Sequence, residues 1–452
     1  MTQIATLMAG VPVTNTTLYH QIRFLVGDSA ALIRFQETDG SEQSLLLVRD
    51  IEVGRAKQVA RADTVGCAAD YCPESGLSGD RDTALAQAVA ECLGQKGVAR
   101  VVADRTLPFI FAHHIQQRGL TLDYDGELGV MARRIKDEDE IQMLLKAQKM
   151  THDAMKMACE MIARADADAE GVLHHGGEVL TSERVRRQIT RYLMDQDFSN
   201  PHDSIVATVP HVADCHHKGT GPLKTGAPVI VDIFPCDEET RYWGDCTRTV
   251  VHGDVTDEVA RMHSAVKAAK DAGTNALQPG VTGEQVHAAV TEQILAHGYQ
   301  MSRGATPEDP ESPAMRHGTG HGIGLDVHEP ILLDDGAGEI LEREVFTVEP
   351  GLYSQTHGGV RIEDMVVVRE SGPEILGDLH EGLFWDCFFR SPGHLQEAVH
   401  ECQSGASDID SRNRDSRDWG SVRVQPLLEL HCDQMDLQSD LEGRPWMPMS
   451  LS

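Results

Sequence analysis

PVIVDIFPCDEETRYWGDCTRTVV, residues 228–251, reads as an apolar strand ending on a carboxylate, a polar turn, and a second strand opening on another carboxylate. The two acids are Asp232 and Asp245, and the run Thr247, Arg248, Thr249 follows the second. A carboxylate that closes a buried strand is costly unless it is paired or meets a cation. Taken alone, Asp232 is an ordinary turn acid, so its significance depends on partners elsewhere in the chain.

Those partners lie downstream. HGTGHGIGLDVHEP, residues 317–330, sets His317, His321 and His328 among four glycines, and VEPG (348–351) and RIED (361–364) follow it. Glycine allows tight backbone conformations and brings neighbouring imidazoles close to a site. Together these motifs point to a metal cluster. Four carboxylates and one imidazole make a hard donor set with a single nitrogen, suited to manganese, cobalt, iron or zinc in a paired site. Two such cations, roughly 3.5–4 Å apart, need bridging carboxylates and can deprotonate a shared water at neutral pH.

Outward from these motifs, helices are expected on both sides of two strand-rich blocks, Ile205–Val251 and Phe346–Val368. RRIKDEDEI opens a long helix whose stripe is Ile141, Leu144, Leu145, Met155, Ala158, Met161 and Ile162, with its acids at the positive end of the helix dipole. Further helices are expected from Thr181, after Thr256, and behind a capping box of Thr282 and Gln285. This pattern predicts an α+β core with a curved antiparallel sheet flanked by helices. Residues 1–128 instead alternate strand-like runs (Ala31–Phe35, Leu45–Val48, Val98–Ala103) with a helix at Asp82–Leu93, and are expected to form a small α/β domain. The catalytic domain is expected over 129–390 and a polar, flexible tail over 391–452, with a short apolar patch at Val424–Leu430.

A length of 452 residues fits two folded domains, and a formal charge of -31 makes nucleic acid and anionic membrane poor partners. Ten scattered cysteines without a C-x-x-C pair, no signal-like N-terminus and no long apolar run predict a reduced, cytoplasmic protein.

The motifs resemble those of the creatinase, prolidase, aminopeptidase P and methionine aminopeptidase family, over residues 1 to about 390. The resemblance implies a creatinase-like N-terminal domain followed by a pita-bread catalytic domain. It also implies a ligand set for two divalent ions, manganese first and cobalt, zinc or iron as alternatives. Asp232, Asp245, His321, Glu349 and Glu363 occupy the five ligand positions, with Asp245 and Glu363 as the bridging pair. His328 would sit beside the scissile carbonyl, and His216, chosen over His217 in DCHHKGTG, would be its upstream partner. His317 would be a further substrate-pocket histidine, and Arg361 would orient the adjacent carboxylates or touch substrate.

Two departures from the family pattern stand out. The loop after His216 is about one residue short, and thirteen positions rather than eleven separate Asp232 from Asp245. A longer hairpin tip, CDEET, would absorb the extra pair; a shifted register would instead displace Asp245, with Asp237 as a weak substitute. The implied activity is release of the N-terminal residue from a peptide with a free amino end, with Xaa-Pro bonds as the expected target. A metal-bridging hydroxide would attack the carbonyl, and Glu349 would shuttle the proton. A homodimer or higher homo-oligomer is expected by the same resemblance. The rival readings are a metal-free creatinase-type hydrolase of a small guanidino compound and a non-catalytic scaffold for peptides or proteins, both of which usually lack several of these carboxylates.

Overall fold

The computed structural model describes residues 3–36, 40–303 and 311–385, so the expected tail and its apolar patch lie outside the described residues. The N-terminal part is a six-stranded sheet built from β1 (Gln3–Gly10), β2 (Ala30–Gln36), β3 (Glu42–Val48), β4 (Thr64–Cys67), β5 (Val98–Ala103) and β6 (Thr121–Tyr124). Its strand order is β4-β3-β2-β1-β5-β6, with β1 parallel to β5 and antiparallel to β2. The helices of this part are α1 (Thr16–Ile22), α2 (Val53–Val59), α3 (Arg81–Gln95) and α4 (Phe109–Gln117). The repeat at Leu85, Val89 and Leu93 turns one face of α3 onto the sheet, where it packs with Leu7, Ile33 and Val101. The boundary expected near residue 128 falls between β6 and α5 (Val130–Arg134).

After α5, the helices are α6 (Glu138–Ala163), α7 (Ser182–Met194), α8 (Asp257–Ala276) and α9 (Gly283–Ala296). Each begins where its capping residue predicts. Asp137 and Glu140 form a capping box at α6, Thr181 and Thr256 cap α7 and α8, and Thr282 with Gln285 forms the box at α9. The stripe on α6 differs from expectation at Leu145, which is exposed, whereas Ala147, Gln148 and Thr151 are buried. The buried face follows 141, 144, 148, 151 and 155, the i, i+3, i+7 row of an α-helix, and Leu145 falls off its edge.

These helices pack on antiparallel strands. One sheet joins Ile205–Ala207, Pro228–Ile233 and Cys246–Val251, and another runs through Glu329–Leu333, Gly320–Gly322, Val345–Val348 and Asp364–Val367. A further hairpin pairs Gly351–Ser354 with Gly358–Arg361. Among the described residues, no helix is long and apolar enough to cross a membrane.

Candidate active site

The hairpin carrying Asp232 and Asp245 is in register: Asp232 pairs with Thr247 and Ile233 with Cys246. The two extra residues are taken up between the strands, where Cys236–Asp237 pairs with Phe198–Ser199. Asp237 is therefore held at the tip, 2.8 Å from Lys146, and is no substitute for Asp245.

Asp245, His321 and Glu363 converge, each offering a potential ligand atom within 4.8 Å of the others. His321 Nε2 lies 3.8 Å from Asp245 Oδ2 and 3.6 Å from Glu349 Oε1. Asp232 lines the same cavity of about 420 Å³, together with His216, His317, His328, Glu349 and Arg361. Strand geometry explains the convergence: Asp232 is the penultimate residue of one strand, Asp245 immediately precedes its neighbour, and Glu363 sits between the strands Gly358–Arg361 and Asp364–Val367, its N–H donating to the Thr247 carbonyl. His321 is the middle residue of a strand that approaches its neighbour so closely that a Cβ on Gly320 would stand 1.9 Å from the Thr347 carbonyl oxygen. Glycine is required there by lack of space; the backbone torsion itself is not left-handed.

The electrostatics are those of an acidic cluster with too little positive charge. Burial, reinforced by Glu363, Asp232 and Glu349, pushes the Asp245 carboxyl well above the usual range. Burial does the same to Glu363, helped by Glu349 and Asp232, and lifts Glu349 to about 7. Asp232 is raised by burial although Arg361 opposes the shift. One buried guanidinium thus faces four carboxyls, an arrangement that disfavours full ionisation unless further cations enter.

The donor atoms themselves fit divalent cations. Asp232 Oδ2 accepts from Arg361 Nη2 at 2.6 Å, while its Oδ1 is buried without a hydrogen-bond partner. His321 Nδ1 lies 3.1 Å from the Gly322 carbonyl, to which it donates as Nδ1–H, leaving Nε2 as a lone-pair donor directed among the acids. Burial holds the His321 imidazole down at about 3, in its neutral, ligating form.

The remaining expected residues are disposed as follows. The His328 ring stands edge-on to His321, with centroids 4.3 Å apart, and lines the cavity. His216 lines that cavity, whereas His217 is stacked on His211 with centroids 4.5 Å apart and accepts from the Gly219 N–H. His317 Nδ1 bonds the Gly318 carbonyl and its Nε2 accepts from the Tyr353 hydroxyl at 2.6 Å, so both ring nitrogens are engaged within the protein. Arg361 likewise turns its donors inward, to Thr247, Tyr353 and Asp232.

Three contributors escaped the sequence reading. Thr247 donates to Glu363 Oε2 at 2.7 Å, and Tyr353 joins His317 to Arg361. Gln148, fully buried on α6, clamps Asp245 by accepting from its backbone N–H at 2.9 Å and donating to its carbonyl at 2.8 Å. Of these, Thr247 could have been found from strand alternation, since it shares a sheet face with Asp245. No sequence signal marks the other two.

Residues 142–370, more than half of the chain, match the model of metallopeptidase family M24. The probable dipeptidase PepE of Mycobacterium tuberculosis is 31% identical over 331 residues, 71% of this chain and 77% of that protein. A Xaa-Pro dipeptidase of Pyrococcus furiosus is 26% identical over 268 residues, 57% of this chain and 73% of that one. Among solved structures, a Xaa-Pro dipeptidase from Bacillus anthracis superposes with a TM-score of 0.68 at 22% identity, covering 84% of this chain and 94% of that chain. The prolidase from Pyrococcus horikoshii does so with a TM-score of 0.66 at 20% identity, covering 84% and 95%. The architecture is thus that of the pita-bread peptidases. The chain belongs to metallopeptidase family M24.

Proposed function

We propose that this peptidase uses two divalent cations, manganese first among them and cobalt, zinc or iron as alternatives, to release the N-terminal residue of peptides at Xaa-Pro bonds. Asp232, Asp245, His321, Glu349 and Glu363 would hold the pair, with Asp245 and Glu363 shared between them. The observation that carries this reading is the buried excess of carboxyls around a neutral imidazole, with Asp232 Oδ1 lacking any partner. When bound, the cations would supply Lewis acidity toward the scissile carbonyl and lower the pKa of water.

The chain's own groups then divide the remaining work. His328, whose pKa burial lowers, is a neutral N–H donor at neutral pH and would bond the carbonyl oxygen as negative charge gathers on it. Glu349 would carry a proton from the attacking water to the departing nitrogen. His216 and the ring edge of His317 would border the substrate, while Arg361 holds Asp232 in place and contributes charge rather than a free donor. A reduced, cytoplasmic setting is part of this proposal. A homodimer or higher homo-oligomer belongs to the same reading and is checked by sedimentation.

The test is hydrolysis of Xaa-Pro and Met-Ala peptides after loading with each cation in turn. Release of the first residue from Xaa-Pro peptides supports the reading, and preference for Met-Ala overturns the Xaa-Pro assignment. Urea formed from creatine, or no hydrolysis by loaded protein, overturns the exopeptidase reading as a whole.

A further inference from the structure

We propose that a second cleft, continuous with the active site, binds the part of a peptide beyond the scissile bond, so that the enzyme acts on chains longer than dipeptides and Arg105 receives a carboxylate of that chain. This rests on the exopeptidase reading above and deepens it. The cleft has a volume of about 1220 Å³, against about 420 Å³ for the cavity that holds the acids. The smaller space suits a ligand of a few residues, whereas the larger exceeds the roughly 300–1,000 Å³ of ordinary small-molecule pockets. His328, Leu332 and Asp334 line both, so the two spaces meet at the histidine expected beside the scissile carbonyl.

The far wall of the cleft comes from the N-terminal sheet. Gly10 ends β1 and Thr14 follows it, and Arg105 and Thr106 follow β5, its parallel neighbour. The chain leaves β1 toward β2 on one side and leaves β5 toward β6 on the other. Such divergence at the carboxyl ends of adjacent parallel strands opens a crevice where α/β sheets commonly bind ligands.

Charge singles out Arg105. Of the three arginines lining the cleft, Arg133 is bound to Asp326 and Glu329, and Arg134 to Glu344. Among the described residues, Arg105 forms no ion pair; it donates to the Gly126 carbonyl at 2.6 Å and is exposed. The acids of the cleft are largely satisfied: Asp326 and Glu329 by Arg133, and Asp334 and Asp335 by Arg303. Asp82 accepts from the Ser29 hydroxyl and is left to meet peptide N–H groups or a basic side chain. A guanidinium on an open cleft, influenced by the neighbouring Asp104 but in no ion pair among the described residues, can receive a carboxylate, and such paired bonds are among the stronger polar contacts.

The experiment is a length series from Xaa-Pro to a six-residue Xaa-Pro peptide, each as free acid and as C-terminal amide, plus an amide carrying an internal Glu. It is run with the manganese-loaded enzyme and its Arg105→Gln variant. The expected result is a kcat/KM that rises at least tenfold with length, mainly through KM. The long-to-short ratio should fall about tenfold in Arg105→Gln. Loss of the gain on amidation assigns the carboxylate to the C-terminus, and restoration by the internal Glu assigns it to a side chain. A ratio independent of length, or unchanged in Arg105→Gln, overturns the proposal. Should no peptide be cut, the Xaa-Pro reading falls, and calorimetric titration of the same series judges the cleft separately: length- and Arg105-dependent Kd values support it, and equal ones overturn it.

Discussion

Asp245 bears the heaviest demand of any side chain here, since it is buried, crowded by three other carboxyls and expected to be shared by both cations. Asp245→Asn keeps the shape and removes the charge. Calorimetry should then show manganese binding weakened beyond the roughly 10–100-fold typical of residues that merely support ligands. Turnover should fall with it, and an Asn variant that binds and turns over normally would exclude this ligand set. The adjacent histidines give a second, opposed pair of outcomes. His216→Ala should lower kcat/KM on an Xaa-Pro peptide by about 10²-fold, and His217→Ala, which removes a ring stacked on His211, should leave it nearly unchanged. The four acids and the imidazole are legible because each sits in a local motif. The bonds that tune them were not: Arg361 reaches Asp232 from 129 positions away, and Tyr353 engages His317 across 36, separations that no local pattern encodes.

Helix α6 shows why an element can be located from sequence while its role stays hidden. Its start is written in Asp137 and Glu140, a reciprocal cap that any reading of local chemistry finds. Its buried row contains Gln148, however, and a glutamine in a helix ordinarily signals solvent. Here the amide is buried because it satisfies two backbone groups of Asp245, with α6 pressed so close that a Cβ on Gly244 would lie 2.2 Å from Thr151 Oγ1. Gln148→Met should strand those groups and lower stability by about 2 kcal/mol or more in urea denaturation. Manganese affinity should drop as well. Thr151→Val, which removes a bond within the same helix, should destabilise without that loss. Equal losses of affinity in both variants would reduce Gln148 to ordinary packing.

Across the whole molecule, the chain before residue 129 meets the rest through polar contacts, set beside a buried ion-pair cluster that belongs to the later part. Lys136 and Arg133 flank Glu329, the neighbour of His328, and Thr16 of the N-terminal part donates to Asp326 at 2.7 Å. Burial alone would raise the Glu329 carboxyl, but Lys136 and Arg133 outweigh it and hold the pKa at about 2, below its ordinary 4.5. A depressed carboxyl stabilises the fold above the unfolded pKa and loses that contribution as pH falls through the folded one. Roughly 3 kcal/mol is therefore present above about pH 4.5 and is lost toward pH 2. Glu329→Gln should show the deficit in denaturant titrations at pH 7, and the difference from the parent should shrink steadily between pH 4.5 and 2. A gap that is constant with pH would mean the carboxylate charge is not what stabilises. On the other flank of this contact, Glu140 is buried between His20, 3.0 Å away, and Arg23, 2.5 Å away, both from the N-terminal part. Dissecting the gene at the boundary between the sheets would strip that acid of its imidazole and guanidinium partners and the His328 loop of its threonine tether, so a peptidase half grafted alone would forgo contacts that the leading half supplies.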